Sequence, residues 1–573
     1  MSLSKHIDPE ELIEQAADHP ILGLLDHAGG KHARGYHAGA HAGRYATEPV
    51  PKYTMPKQGI SAEAAYQLVH SELSLDANPT LNLASFVHTW MPKEAMQLMN
   101  ETLMINLCDQ DEYPSTMAIH ARCISMLADL WHAPKETDEN GKRQPAMGVA
   151  TTGSSEAIML GLLAAKKRWQ HRMKTQGKSY KEPGPNVVMG SNAQVAIEKF
   201  AAYFDVEARL VPISHESRHC LDINKAIDMV DENTIAVVTI LGSTYEGSYE
   251  NVAGMSKLLD DYEAKTGIDI PIHVDGASGA MVAPFAHPNL TWDFKLPRVK
   301  SINTSGHKFG LSAPGLGWIL FRSQDMVPKE LVFELHYLGS TEYSFGLNFS
   351  RPAHSMIAQY WSFLNLGFEG YKRVMEADLQ NARLLSRALE KSGLYEVLSD
   401  IHRPVGGSGV VKDAATKVGV IDDTSAEYYT PGLPVVAFRW SEAFRTRNPQ
   451  LQQRWIQTLL RAKGWVVPNY ALSPDLDKIE ILRVVVRENL SESMIEQLVY
   501  DIVTITEGLE SDSDGFRQLA KTSSKHTEPH DSTTDKHGDA TKSTGHHNAA
   551  HDKHRGGLPH GSGVKAKGYS RQC

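Results

Sequence analysis

TIAVVTIL (234–241) and IPIHVD (270–275) are short runs, largely apolar and β-branched, that lack the strict alternation of a half-solvated strand. Strands covered on both faces read this way. NVVMG (186–190), RLVPI (209–213) and LGWILF (316–321) repeat the pattern, and helical stretches such as EAIMLGLLAAKKRWQHRM (156–173) lie between them. Strand and helix alternating at this interval predict an α/β fold with a mostly parallel sheet between about Ser61 and Glu510.

A second pattern follows a helical region at roughly 353–393. LPVVAFRW (433–440), a helix near 447–463, WVVPNY (465–470), EILRVVV (480–486) and a closing helix near 491–510 predict a smaller α+β domain. The expected organisation is an arm or linker over 1–60, a large domain over 61–378, a small domain over 379–510 and a tail over 511–573. The arm mixes His, Gly and Ala before a proline-spaced run, VPKYTMPKQGI. From Lys521 onward there is no Ile, Phe, Trp or Met, so the tail cannot bury enough apolar surface to offset chain entropy and is expected to be disordered.

Composition narrows the function classes. At 573 residues the chain can bury a sizeable core, and 41% hydrophobic with 22% charged residues reads as soluble and globular. A formal charge of −10 argues against nucleic acid as the main partner. No apolar run approaches the roughly 20 residues that span a bilayer, and the first thirty residues show neither a secretory signal nor a typical transit peptide. Four cysteines without CxxC spacing suit a reducing compartment and give no zinc motif, so a cytoplasmic protein with no metal centre is expected. The tail histidines His546, His547, His551 and His554 could bind a metal ion or be simply solvated.

Four segments carry candidate chemistry. TTGSSEA (151–157) puts Ser154 and Ser155 directly before a helix, where they either cap it or, with free N–H groups, hold a phosphate. IHVDGASG (272–279) ends a strand at Asp275, which is either a turn residue or a ligand-facing carboxylate where α/β sheets bind their ligands. SGHKFG (305–310) places His307 and Lys308 among small residues, and NFSRP (348–352) places Ser350 and Arg351 ahead of a helix. Each is weak alone. Together an amine, a carboxylate and a phosphate cup match the needs of pyridoxal 5'-phosphate, which bonds a lysine, keeps its ring nitrogen protonated against a carboxylate and anchors its phosphate.

With LNLASFVHTW (81–90), NLCDQDEYP (106–114) and LNFSRP (347–352) added, the chain over about 60–510 resembles the group II pyridoxal-phosphate decarboxylases, and within them the glutamate decarboxylases. The resemblance implies the aspartate-aminotransferase-like fold, assembled as a homodimer or a multiple of dimers, and decarboxylation of L-glutamate to 4-aminobutanoate through a Lys308 Schiff base and a quinonoid intermediate. It makes Asp275 the partner of the ring nitrogen and Ser154, Ser155 and His307 the phosphate contacts, with Ser350 reaching the phosphate of the neighbouring subunit. Thr244 falls near the phenolic oxygen, and Gln194 and Ala277 on opposite faces of the ring. Ser85, Phe86, Asn106 and Asp109 are implied for the distal carboxylate and Tyr337 as the candidate proton donor at Cα. By sequence Arg487 ranks first for the α-carboxylate side of the substrate, and Arg483 in the same short strand is its rival.

An aspartate facing a carboxylate makes sense only if one of them holds a proton, so activity is expected to be highest below neutral pH. Two other readings stand beside this one: a cofactor-dependent decarboxylase or lyase for another amino acid, and a non-enzymatic His-rich interaction or metal-binding protein on the same scaffold. Plant relatives carry calmodulin-binding tails, but no Trp or Phe follows Phe516 to anchor a helix in a groove, so no calmodulin switch is expected.

Overall fold

The computed structural model describes residues 54–137, 139–335, 342–405 and 426–511. The chain divides into two compact units, Met1–Leu81 and Asn82–Cys573. In the first, helix α1 (Ala62–Leu73) starts at Ser61, whose hydroxyl accepts from Ala64 N at 3.2 Å. Tyr66, Val69 and Leu73 on this helix are exposed.

The second unit opens with α2 (Lys93–Glu101) and α3 (Pro114–Leu130). Alternation then begins with β1 (Met147–Thr151), α4 (Ser154–Thr175), β2 (Asn186–Gly190), α5 (Val195–Tyr203), β3 (Glu207–Val211), α6 (Ile223–Asp228) and β4 (Thr234–Ile240). It continues through α7 (Val252–Thr266), β5 (Ile272–Asp275), α8 (Ala283–Ala286), β6 (Val299–Thr304) and β7 (Gly317–Phe321). These strands form one seven-stranded sheet in the order β1-β7-β6-β5-β4-β2-β3. β7 is antiparallel to both neighbours and every other pair is parallel, so β1 runs in the same direction as β6.

Every residue of β2, β4, β5 and β7 is buried, which is the physical reason these strands read as continuous apolar runs. The edge strand β3 exposes Glu207 and pairs Arg209 with Glu207 and Asp231, charges that discourage further pairing. Two strands, β1 and β6, go unnoticed in the sequence. β6 hides because it buries Ser301, Asn303 and Thr304, polar residues that the apolar pattern does not anticipate.

A short antiparallel ribbon, β8 (Phe333–Leu335) with β9 (Glu342–Ser344), precedes α9 (His354–Lys391), which breaks direction at Gly367 (φ 57°, ψ −173°) and runs across position 378. β10 (Tyr395–Val397), β11 (Val435–Trp440), α10 (Glu442–Arg447), α11 (Arg454–Ala462), β12 (Asn469–Ala471), β13 (Glu480–Val485) and α12 (Glu492–Ser511) complete the unit. Their strands form a separate antiparallel sheet in the order β10-β11-β13-β12. The single helix expected near 447–463 is two, because Pro449 disfavours a helical Asn448 and offers no donor of its own. WVVPNY contributes only its end to a strand, after Pro468. No helix among the described residues is long and apolar enough to cross a membrane.

The largest core cluster packs α3, α8 and α9 around the sheet, with Trp131 and Trp318 fully buried, and Trp131 Nε1 donates to Ala280 O at 2.9 Å. The chain leaving β5 runs tight against β4. Gly279 N donates to Leu241 O at 3.0 Å, and a Cβ on Gly279 would lie 2.1 Å from that oxygen. Gly279→Ala is therefore expected to lower stability by about 1–3 kcal/mol through overpacking, read as a lower midpoint in chemical denaturation. A midpoint equal to the parent's would mean that the turn yields without strain.

Candidate active site

The C-terminal ends of β1, β2, β4, β5 and β6 face one way and lead into the segments bearing Ser154, Gln194, Thr244, Asp275 and Lys308. That edge is where open α/β sheets hold ligands. Asp275 ends β5 and is 4% exposed. Its Oδ1 accepts from Asn303 Nδ2 at 2.9 Å and from Ala277 N at 3.1 Å, while Oδ2 takes no hydrogen bond from the described residues. Asn303 Oδ1 lies 2.9 Å from His273 Nε2, so that nitrogen is the donor and His273 Nδ1 accepts from Ser301 Oγ at 2.7 Å. Burial holds this imidazole well below its usual range, which keeps it neutral.

Beside Asp275 the start of α4 forms a cup. Gly153 makes no side-chain cap, so the first N–H groups of the helix are left for another acceptor. Ser154 Oγ and Ser305 Oγ lie 2.7 Å apart. His307 Nδ1 accepts from Leu316 N at 3.3 Å, which leaves Nε2 as the ring's N–H donor. Burial, reinforced by the Lys308 charge, holds His307 down to about 4, so it donates as a neutral ring. A Cβ at Gly317 would lie 2.4 Å from the Gly153 carbonyl carbon, so β7 can reach the cup only through a glycine.

Lys308 Nζ sits 5.4 Å from the centre of the Phe86 ring, and the Arg483 guanidinium lies 4.8 Å from the same ring. Arg483 comes from the second sheet. It donates to Thr244 O at 2.6 Å and to Ala84 O, and it is 4% exposed.

Residues 51–405 match the pyridoxal-dependent decarboxylase conserved domain. The chain belongs to that family. It is 46% identical over 473 residues to a protein of Saccharomyces cerevisiae named glutamate decarboxylase, covering 79% of this chain and 78% of the relative. A Solanum lycopersicum protein of the same name is 45% identical, covering 82% and 85%. The structure resembles that of Lactobacillus brevis glutamate decarboxylase, with a TM-score of 0.71 and 34% identity over 82% of this chain and 97% of that one. A Burkholderia pseudomallei sphingosine-1-phosphate lyase, at 19% identity and a TM-score of 0.63, shares the fold alone. The aspartate-aminotransferase-like fold expected from sequence is therefore the fold found.

Pyridoxal 5'-phosphate is the cofactor of this family, and the residues present fit it. One Asp275 oxygen remains for a ring N–H, the uncapped helix start with Ser154, Ser155 and neutral His307 can take a phosphate, and Lys308, directly after His307, has its amine over Phe86.

Other residues expected from sequence have definite places. Asn106 Nδ2 reaches Asp109 Oδ1 at 3.2 Å and Ser350 Oγ at 3.3 Å, so these three form one cluster. Cys108 joins it through Sγ to Asp109 Oδ1 at 3.2 Å, and burial followed by the bond to Asp109 pushes its thiol pKa up. Ser85 Oγ accepts from Val87 N at 3.1 Å and so shapes the turn that presents buried Phe86. Gln194 caps α5, its Oε1 accepting from Ala196 N at 2.5 Å, and Ala277 O accepts from Ser305 N at 3.0 Å. Tyr337 lies outside the described residues.

The two arginines have different surroundings. Arg487 donates to Val87 O at 2.5 Å and Asn82 O at 2.8 Å, with Glu488 and Asp378 as its charge neighbours. Arg483 is the one that shares Phe86 with Lys308. Strand alternation puts both on one face, but β13 ends at Val485, so the rule no longer holds at Arg487. Ser305 and Asn303 were also missed. Their signal was present in SINTSG, a polar run too long for an ordinary buried strand.

Because a lysine cannot reproduce a stacked guanidinium, Arg483→Lys is expected to raise KM for L-glutamate about tenfold or more, besides lowering the melting temperature through its lost bonds to Thr244 O and Ala84 O. Arg487→Lys should lower the melting temperature and leave KM near that of the parent. Steady-state kinetics and thermal unfolding on both variants check this, and the reverse outcome in KM would make Arg487 the substrate arginine.

Proposed function

We propose that this chain decarboxylates L-glutamate to 4-aminobutanoate and carbon dioxide, with pyridoxal phosphate held on Lys308. The observation that carries the reading is the Phe86 ring, where the Lys308 amine and the Arg483 guanidinium meet. One is the nucleophile for covalent attachment and the other a permanent cation for a carboxylate. Both named relatives are glutamate decarboxylases at more than 40% identity, which supports the same substrate here.

The bound cofactor supplies an electron sink for the carbanion left when a carboxylate departs. Asp275 Oδ2 would hold a proton on the ring nitrogen, and Asn303, Ala277 N and His273 keep that carboxylate oriented. Ser154, Ser155 and the His307 N–H bind the phosphate, with Ser350 as a further contact. Thr244 would face the cofactor's phenolic oxygen, and Gln194 and Ala277 would bound the two faces of its ring. Arg483 holds the substrate's α-carboxylate side. Ser85, Phe86, Asn106 and Asp109 enclose the distal carboxylate, and Asp109 tolerates that charge only when the pair shares a proton. We assign protonation of Cα to Tyr337. The enzyme works as a homodimer or a multiple of dimers in the cytoplasm.

Carbon dioxide release from a panel of L-amino acids, with and without added cofactor, tests the reading. L-Glutamate is expected to be turned over, aromatic amino acids are not, and Lys308→Ala should lose at least ~10³-fold in kcat together with the cofactor's protein-bound absorbance band. Preferred turnover of another amino acid would overturn the substrate assignment. The pH–rate profile should peak below neutrality, and a maximum well above it would remove Asp109 from its role.

A further inference from the structure

Glu156 stands in the first turn of α4 and is 6% exposed. An acidic residue there is ordinary, since it complements the helix dipole. Its hydrogen bonds are not ordinary, because its two oxygens serve stretches of backbone nearly two hundred residues apart. Oε2 accepts from Thr152 N at 2.8 Å, Thr152 Oγ1 at 3.0 Å and Asn348 Nδ2 at 3.2 Å. Oε1 accepts from Leu347 N at 3.0 Å and Asn348 N at 3.1 Å. Asn348 Nδ2 also reaches Thr152 Oγ1 at 3.1 Å, which closes the knot.

Each end of this bridge leads to a part of the site. Thr152 precedes Gly153 and Ser154, where the phosphate cup begins. Asn348 precedes Ser350 and Arg351, and Arg351 donates through Nη1 to Ala150 O at 2.8 Å and through its backbone N to Asn106 Oδ1 at 3.0 Å. Asn106 then holds Ser350 and Asp109. The only carboxylate among these contacts to both stretches is that of Glu156.

We propose that Glu156 is a positioning residue that fixes the spacing between the phosphate cup and the 347–351 segment, and so couples cofactor retention to the placement of Asn106 and Asp109. The substrate half of this inference rests on the proposed function, whereas the cofactor half rests on the family alone. In a homo-oligomer every site is affected alike, whichever subunit Ser350 serves. Five donors converge on two oxygens, and a glutamine has only one. In Glu156→Gln the amide NH₂ must face either Thr152 N or the N–H groups of Leu347 and Asn348, so the main-chain N–H groups of one stretch lose their acceptor while the apolar face of α4 is untouched.

The test titrates pyridoxal 5'-phosphate into apo wild type and apo Glu156→Gln, following the absorbance of the bound cofactor, and then measures kinetics at saturating cofactor. The Kd for the cofactor and the KM for L-glutamate are each expected to rise about tenfold, the scale of a lost charged hydrogen bond, with kcat within about threefold. Values of Kd and KM within twofold of wild type would overturn the proposal, as would a fall in kcat alone. Wild type that binds the cofactor without turning over glutamate would count against the proposed function and leave the Kd comparison as the deciding measurement. If Glu156→Gln does not fold, Asn348→Ala keeps the carboxylate and its main-chain partners while removing two side-chain contacts. Its Kd should rise about two- to fivefold, and an unchanged Kd would again overturn the proposal.

Discussion

The Asp275 carboxylate, held almost out of water at the end of β5, sets terms that the neighbouring strands must meet. A buried carboxylate is costly unless hydrogen-bonded. Asn303 and the Ala277 N–H meet that demand on one oxygen, and the other is left for a ligand. Asn303 needs its own amide fixed, which His273 and Ser301 accomplish from inside the sheet. One buried carboxylate thus accounts for a histidine and two polar residues in strands whose surroundings are apolar.

Register carries the same constraint outward. Asp275 pairs with Asn303 across β5 and β6, Thr304 with Trp318 across β6 and β7, and Thr151 with Gly317 across β7 and β1. That ladder brings the chain after β6 beside the start of α4. Ser305 and Ser154 meet at 2.7 Å although 151 residues separate them. A glycine at 317 is the condition for this approach, since a side chain would strike the Gly153 backbone. The second sheet then closes the site from the other side by laying Arg483 between Thr244 O, Ala84 O and the Phe86 ring.

Much of this was legible in the chain. The apolar strands announced themselves because burial on both faces leaves no polar residues, as in β2 and β4. Lys308, Asp275, Ser154, Ser155 and His307 stood in recognisable order. What escaped notice shares a cause. β6 reads as polar because Asn303 and Ser301 satisfy Asp275 and His273, and Glu156 passes for a routine helix-start acid until its partners at Leu347 and Asn348 come into view. Polar residues that work through distant partners leave no periodic trace.

By itself the sequence determined the α/β class and the cofactor chemistry, because those depend on residue type and on order within short segments. Tertiary structure alone distinguishes the surroundings of Arg483 from those of Arg487. Four positions apart, they share a face only while the strand lasts. β13 stops at Val485, so Arg483 reaches across to Phe86 beside Lys308, whereas Arg487 is turned to the carbonyls of Asn82 and Val87.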